Sequence, residues 1–417
     1  MENSQSFQKW YNGYIALLLF IFLLVPKLTA LAIILFVPIA IIGVKKQFFQ
    51  FKINRIAILF FSAYGFYLLY CLFTRHADIA AKYLEYKLSF LLIPLLFSFV
   101  PKEKMNVKLP IIGFLLGSVA LFINGLIHSF TCYTSTRSFF TCFTSSQFSP
   151  IHHPSYATVF YTVALFLVWY AFTKRFFWMK LWFAMLLSIV YLLAIVFCFS
   201  LAGLLFFSMV VTIAFIVMVN RKWGKTVTLF MGVIVIASIL VLFQTVSVLK
   251  NEFNGAKRYF VEYVENPKAF VQHKKYPMSG SEVRLVMWTA SYQAFSSYPL
   301  GVGTGNVDEV LTTQLSQMNQ RELAKQLYNP HNQYLQTGLE IGILGLIVVL
   351  APFLAALSYF KQSKNWLLLL IVGALLFNML FESMLQRQSG IVFFTLAICY
   401  LVLFTENKRQ YNNELLD

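Results

Sequence analysis

The chain has 417 residues, 59% of them hydrophobic and only 12% charged. A soluble globular chain carries about twice that charged fraction, and the apolar runs here recur along the whole length, which excludes a soluble domain with a single anchor. The net charge of +17 raises nucleic acid as a partner, but Lys and Arg fall in short clusters between apolar runs, the pattern of membrane-protein loops, so no nucleic-acid partner is expected.

A helix needs about 20 apolar residues to cross the hydrocarbon core. In chain order the candidate spans are residues 11–25, 28–44, 54–72, 86–100, 109–129, 156–172, 181–199, 203–219, 226–246, 334–357, 366–381 and 391–405. The expected fold is therefore all-α: a polytopic integral membrane protein with about twelve transmembrane helices. The first span is short, which leaves open eleven spans with a partly inserted first helix. It reads as a retained span rather than a signal peptide, because no small-residue cleavage site follows and a second apolar run begins after Pro26-Lys27.

Alternate connections carry the basic residues: Lys45 and Lys46; Lys102, Lys104 and Lys108; Lys174, Arg175 and Lys180; Arg221, Lys222 and Lys225; Lys361 and Lys364; Lys408 and Arg409. The opposite connections carry few: Lys27, Arg75, Arg137 and Arg387, with Lys82 and Lys87 at the start of the fourth span. Both termini are thus expected in the cytoplasm. The chain divides into residues 1–246 with the first nine spans, a large external loop at 247–333, and residues 334–417 with the last three spans and a tail. A long ordered loop is usually functional.

The shorter external loop, 130–155, contains Cys132 and Cys142; a disulfide there and two free thiols are both open readings. No Cys-x-x-Cys pair occurs, so no metal site is expected. In the large loop, Ser279 and Glu282 have capping-box spacing ahead of an apolar run that Pro299 ends. After the glycine run 301–305, Asn306 with Glu309 can cap a second helix running to about Tyr328. The glycine run is no Walker loop, since no Lys-Ser or Lys-Thr follows it. It is either a flexible turn or, at Gly303 and Gly305, a set of free amides that hold an anion at a helix start.

His331 sits where this loop meets the tenth span, and histidine exchanges a proton near neutral pH. An interfacial cap is its plainer role. Arg284 has a guanidinium suited to gripping phosphate, or else lies on a solvated face or stacks on Trp288. Glu340 is ionisable at membrane depth. Gly338, Gly342 and Gly345 share one stripe of its helix and permit close packing, so a structural pairing of Glu340 with a buried base is favoured. Glu382 and Arg387, at the outer end of the eleventh span, either face the cavity of His331 or form a surface ion pair.

Three stretches carry a resemblance: Arg284-Leu285-Val286-Met287-Trp288 with Pro299 through Asn306; His331-Asn332-Gln333-Tyr334-Leu335 with Glu340 through Gly345; and Glu382 through Gly390. In these the chain resembles the O-antigen ligase and polymerase superfamily of bacterial envelope glycosyltransferases. His331, Asn332 and Gly342 fit the pattern of the ligase branch, while Leu344-Gly345 stand where that branch has a Thr pair. Ser200-Leu201-Ala202 also depart from the Ser-Arg that many relatives carry.

The resemblance implies a donor glycan on undecaprenyl diphosphate and an acceptor hydroxyl on lipid A core, a growing glycan or a protein. It implies no cofactor, metal or nucleotide. It makes His331 the base and Arg284 the group that stabilises charge on the leaving diphosphate, with Asn332, Tyr334, Gly303, Gly305, Asn306, Glu382 and Arg387 around the substrates. Membrane lipids are the remaining partner. A polytopic transporter or flippase is the alternative, though the long loop follows the ninth span rather than dividing two equal halves.

Overall fold

The computed structural model describes residues 2–102, 105–245 and 247–413. Lys104 lies outside the described residues, as do nearly all side chains of the expected span 226–246. The helices in the first half are α1 (Glu2–Leu24), α2 (Thr29–Ile34), α3 (Phe36–Lys45), α4 (Arg55–Tyr70), α5 (Ala77–Lys87), α6 (Ser89–Phe97), α7 (Lys108–Thr136), α8 (Phe139–Phe143), α9 (Ser145–Phe148), α10 (Pro154–Thr173) and α11 (Leu181–Cys198). Next come α12 (Leu201–Thr245), α13 (Ser247–Glu265), α14 (Pro267–His273), α15 (Gly280–Ser297), α16 (Val307–Gln317) and α17 (Arg321–Ala324). The chain closes with α18 (Gln333–Ser363), α19 (Trp366–Asn378) and α20 (Gln388–Asn413).

Nine helices among the described residues are long and apolar enough to cross a membrane, so the chain is an all-α polytopic membrane protein. Helices are the spanning form because hydrocarbon offers no partner to a free peptide group. The stretch expected as a fourth span is divided between the end of α5 and the short α6. The expected eleventh is a helix of 13 residues. One feature departs from all-α: Phe49–Phe51 (β1) pairs antiparallel with Phe99–Pro101 (β2), Phe49 opposite Pro101. The pair ties together the connections after α3 and after α6.

In the bundle α1 packs on α7, α4 on α18, α6 on α20 and α10 on α11. The first contact is close because Gly113 of α7 lies against the backbone of Ala16. Aromatic rings fill the centre, with Phe22, Phe160 and Phe393 in mutual contact. Cys132 and Cys142 are joined by a disulfide.

The segment 247–333 has a core of its own, in which Val286, Met287 and Ala290 of α15 meet Leu311 and Leu315 of α16 and Phe270 of α14. Ser279 and Glu282 form the expected capping box at the start of α15. Asn306 does not cap α16. Its amide donates to the carbonyls of Phe73 at 3.0 Å and Val302 at 2.7 Å, and its oxygen accepts from Arg75 N at 2.9 Å and Thr74 Oγ1 at 3.1 Å. Partners on the connection after α4 outcompete the local cap. The helix also ends at Gln317, short of the expected Tyr328.

Helix α18 breaks at Ile341 and Gly342, where Gly342 has φ +72°. A break inside a span frees backbone groups that lipid cannot satisfy. Here the loop 299–303 satisfies them. Val302 N donates to Leu339 O at 2.9 Å, Gly303 N to Glu340 O at 3.0 Å, and Ile343 N to Pro299 O at 3.1 Å. A Cβ on Gly342 would lie 2.5 Å from the Leu300 carbonyl, so glycine is required twice over. Gly338 packs closely on Phe295 and Gly342 on Leu300, while beyond the break Gly345 lies against Ile341 of its own helix.

Candidate active site

Helix α15, the turn before α18 and the connection from α19 to α20 meet on one carboxylate. Glu382 is buried, with 2% of its side chain exposed. Its Oε2 lies 3.4 Å from His331 Nδ1 and 4.0 Å from Arg284 Nη2. The two residues singled out in the sequence therefore converge, and no farther apart than those two distances together allow. Glu382 does not make the surface pair with Arg387 that was the alternative; Arg387 is exposed.

Each member is held by its own surroundings. His331 has φ +49°, a region that a non-glycine residue occupies at some cost. Its N–H donates to Asn329 Oδ1 at 2.9 Å, and its carbonyl accepts from Trp288 Nε1 at 3.4 Å. Arg284 donates through Nε to Phe381 O at 3.2 Å and through Nη1 to Gly280 O at 3.3 Å. Ser383 N donates to Glu382 Oε1 at 3.3 Å, and Ser383 Oγ to Asn329 Oδ1 at 3.2 Å.

Electrostatics fix the proton. Burial alone would push the Glu382 carboxyl up, but the hydrogen bond from His331 and the charges of His331, His153 and Arg284 bring it down to about 2. An ionised carboxylate only accepts. The His331 Nδ1 that faces it is therefore the donor. His153, at the start of α10, borders the same charges; burial pushes its imidazole down to about 4, so it is neutral at pH 7.

Other residues expected at the site are committed elsewhere. Asn332 caps α18 by accepting from Leu335 N at 3.0 Å and donates to Leu380 O at 3.1 Å. Tyr334 donates its hydroxyl to Leu376 O at 2.9 Å. The amides of Gly301, Val302, Gly303 and Thr304 all donate to backbone carbonyls, so those four are not free for an anion. Gly303 and Gly305 press on the backbone near Phe73 and Ala80. With Asn306 they fasten the loop to α4 and α5 by contacts that use no ligand. Trp288, Asn329 and Ser383 went unrecognised as supports. Only Trp288 had a local signal, its place one turn from Arg284 on α15.

Glu340 does find a buried base. It is Lys87, whose Nζ lies 3.4 Å from Oε1 with both side chains enclosed.

Residues 186–350 match the family model described as O-antigen ligase. Over that stretch the chain is similar to the O-antigen ligase family. The match runs from α11 into α18, takes in Arg284, His331 and Glu340, and bears out the family resemblance; Glu382 lies beyond it. An uncharacterized protein of Haemophilus influenzae is 24% identical over 166 residues, which are 37% of this chain and 40% of that protein. The aligned part thus spans well under half of that relative. The stretch similar to that family thus lies within a chain of apolar helices long enough to cross a membrane.

Proposed function

We propose that this chain transfers a glycan from an undecaprenyl-diphosphate donor to an acceptor hydroxyl at the outer face of the bacterial inner membrane. The acceptor is lipid A core, a growing polysaccharide or a protein. The observation that carries the reading is the sharing of Glu382 Oε2 by His331 and Arg284. That arrangement suits inversion of roles around one bond. His331 Nε2 takes the proton of the acceptor hydroxyl, a contribution typically worth about 10² to 10⁴ in rate. The acceptor oxygen attacks the anomeric carbon, and the bond to the diphosphate breaks with its electron pair on phosphate. Arg284 stabilises that charge through the N–H groups its backbone partners leave free. Glu382 orients the imidazole and stabilises its charged form, without itself touching substrate.

In this reading the protein has twelve spans, both termini lie in the cytoplasm, and residues 247–333 are external. The disulfide of Cys132 and Cys142 supports an external 130–155 loop, because such bonds persist in oxidising compartments. The chemistry needs no metal or nucleotide.

The test is transfer by purified protein in lipid vesicles without an ion gradient, using lipid-linked glycan extracted from the host membrane. Wild type should consume the donor, and His331→Ala should lower transfer by roughly two orders of magnitude. His331→Gln, which hydrogen-bonds but takes no proton, should fall as far. Full activity in both variants at matched membrane levels would remove His331 from the chemistry. Donor that crosses the bilayer unconsumed would instead support a flippase.

A further inference from the structure

Lys87 and Glu340 form the one ion pair among the described residues in which both side chains are enclosed, 0% and 1% exposed. Such a pair is a poor way to hold helices together. Removing two charges from water is costly, and apolar residues of similar volume often serve as well. What distinguishes this pair is a third member. Gln386 Oε1 accepts from Lys87 Nζ at 3.1 Å, and Gln386 Nε2 donates to Glu340 Oε2 at 2.8 Å. Lys87 also rests over the ring of Tyr67, 4.3 Å from its centroid. Gln386 thus reads both charges at once, and only one orientation of its amide satisfies both.

Gln386 lies on the same connection as Glu382. That connection, between α19 and α20, has little regular structure of its own. It is held from outside by Ser383 Oγ on Asn329 at 3.2 Å and from within by Leu385 N on Gln333 Oε1. The buried pair anchors it through Gln386. Glu340 is in turn fixed at the break in α18, where its carbonyl receives Gly303 N.

We propose that the Lys87–Glu340 pair, acting through Gln386, is a positioning device that sets Glu382 between His331 and Arg284. The proposal rests on the reading that Glu382 orients His331. Its signature is local: loss of the anchor frees the connection, and the imidazole loses its partner while the helices remain packed.

The experiment uses the full chain in lipid nanodiscs with two readouts. One is transfer from the extracted lipid-linked glycan. The other is the rate at which diethyl pyrocarbonate modifies His331 at a fixed neutral pH, mapped by mass spectrometry. Lys87→Met and Gln386→Leu should lower kcat by roughly ten- to a hundredfold with KM little changed, as a small misplacement of a catalytic group does. Both should speed modification of His331 severalfold. Lys87→Arg, which keeps the charge, should recover much of the rate. The double variant Lys87→Met with Glu340→Met separates positioning from stability. Its thermal midpoint should stay near wild type, as apolar replacement of a buried pair often allows, while both readouts change as in Lys87→Met. Wild-type modification and transfer in that double variant would show that the pair only staples helices. Unchanged readouts in Gln386→Leu would break the relay. If His331→Ala kept full transfer, the catalytic reading would fall, whereas the modification rates would still report whether the pair holds Glu382.

Discussion

Arg284 meets its surroundings through three nitrogen atoms, on the Phe381 carbonyl, the Gly280 carbonyl and the Glu382 carboxylate. A lysine has one nitrogen and no plane, so it cannot occupy these directions together. Arg284→Lys should therefore recover little of the transfer lost in Arg284→Ala, measured as kcat with the extracted donor; full recovery would mean that charge alone suffices. Glu382 gives a prediction in pH. Its carboxyl is held down at about 2, below the ordinary value, so the stability it contributes is fully present above the ordinary carboxylate range, about pH 4 to 5. That contribution is lost as the pH falls through about 2. Glu382→Gln should remove it, and the thermal midpoint of the variant should depend less on pH between about 5 and 2 than that of wild type. Equal slopes would mean that the carboxylate gains nothing from His331, His153 and Arg284.

At the scale of elements, the loop 299–306 behaves as part of the bundle. It fills the break in α18, and Asn306 makes four hydrogen bonds: three of 2.9 to 3.1 Å to the connection after α4 and one of 2.7 Å to Val302 within the loop. Each is worth about 1 kcal/mol net, and the groups left unpaired add to the loss. Asn306→Ala should thus cost about 2–4 kcal/mol in stability, read as a lower thermal midpoint, with KM unchanged in the folded fraction. Unaltered stability with a raised KM would return Asn306 to the substrate-binding role expected of it. The contrast with Ser279 shows what a sequence makes legible. Both residues stand three positions before a glutamate, and both precede a helix. Ser279 has no rival partner and forms its box, whereas Asn306 is claimed by Phe73 and Arg75, which lie far away in the chain. The apolar runs announced their helices because length and composition are local. The break at Gly342 was hidden, since a glycine in an apolar run reads equally as a packing surface. The meeting point of His331 and Arg284 on Glu382, and the pairing of Lys87 with Glu340, depend on contacts between distant segments that no local pattern contains.

At the scale of the molecule, the course of the helices separates two ends. Helix α4 starts beside β1 and ends where Thr304 N meets Tyr70 O. Helix α7 starts near β2 and ends beside the disulfide of Cys132. Helix α20 starts below Glu382 and returns to the β pair, where Asn407 Nδ2 donates to Pro101 O at 3.1 Å. The site and the disulfide thus share one end, and the β pair marks the other. The basic clusters sort the same way: Lys45 and Lys46 precede β1, Lys102 follows β2, and Arg221 and Lys222 stand at the kink of α12 by Gly224. Positive clusters are retained in the cytoplasm, while a long loop crosses whatever its charge. The end with the β pair should therefore face the cytoplasm and the site should face outward. Fusions of alkaline phosphatase, which needs an oxidising compartment to fold, should be active after Asn319 and inactive after Lys222 or Lys361. Thiol labelling of Cys132 and Cys142 in intact cells should require prior reduction. Activity of the fusions after Lys222 and Lys361, with none after Asn319, would place His331 and Arg284 on the side away from a lipid-linked donor. The proposed transfer would then have no route to its substrate.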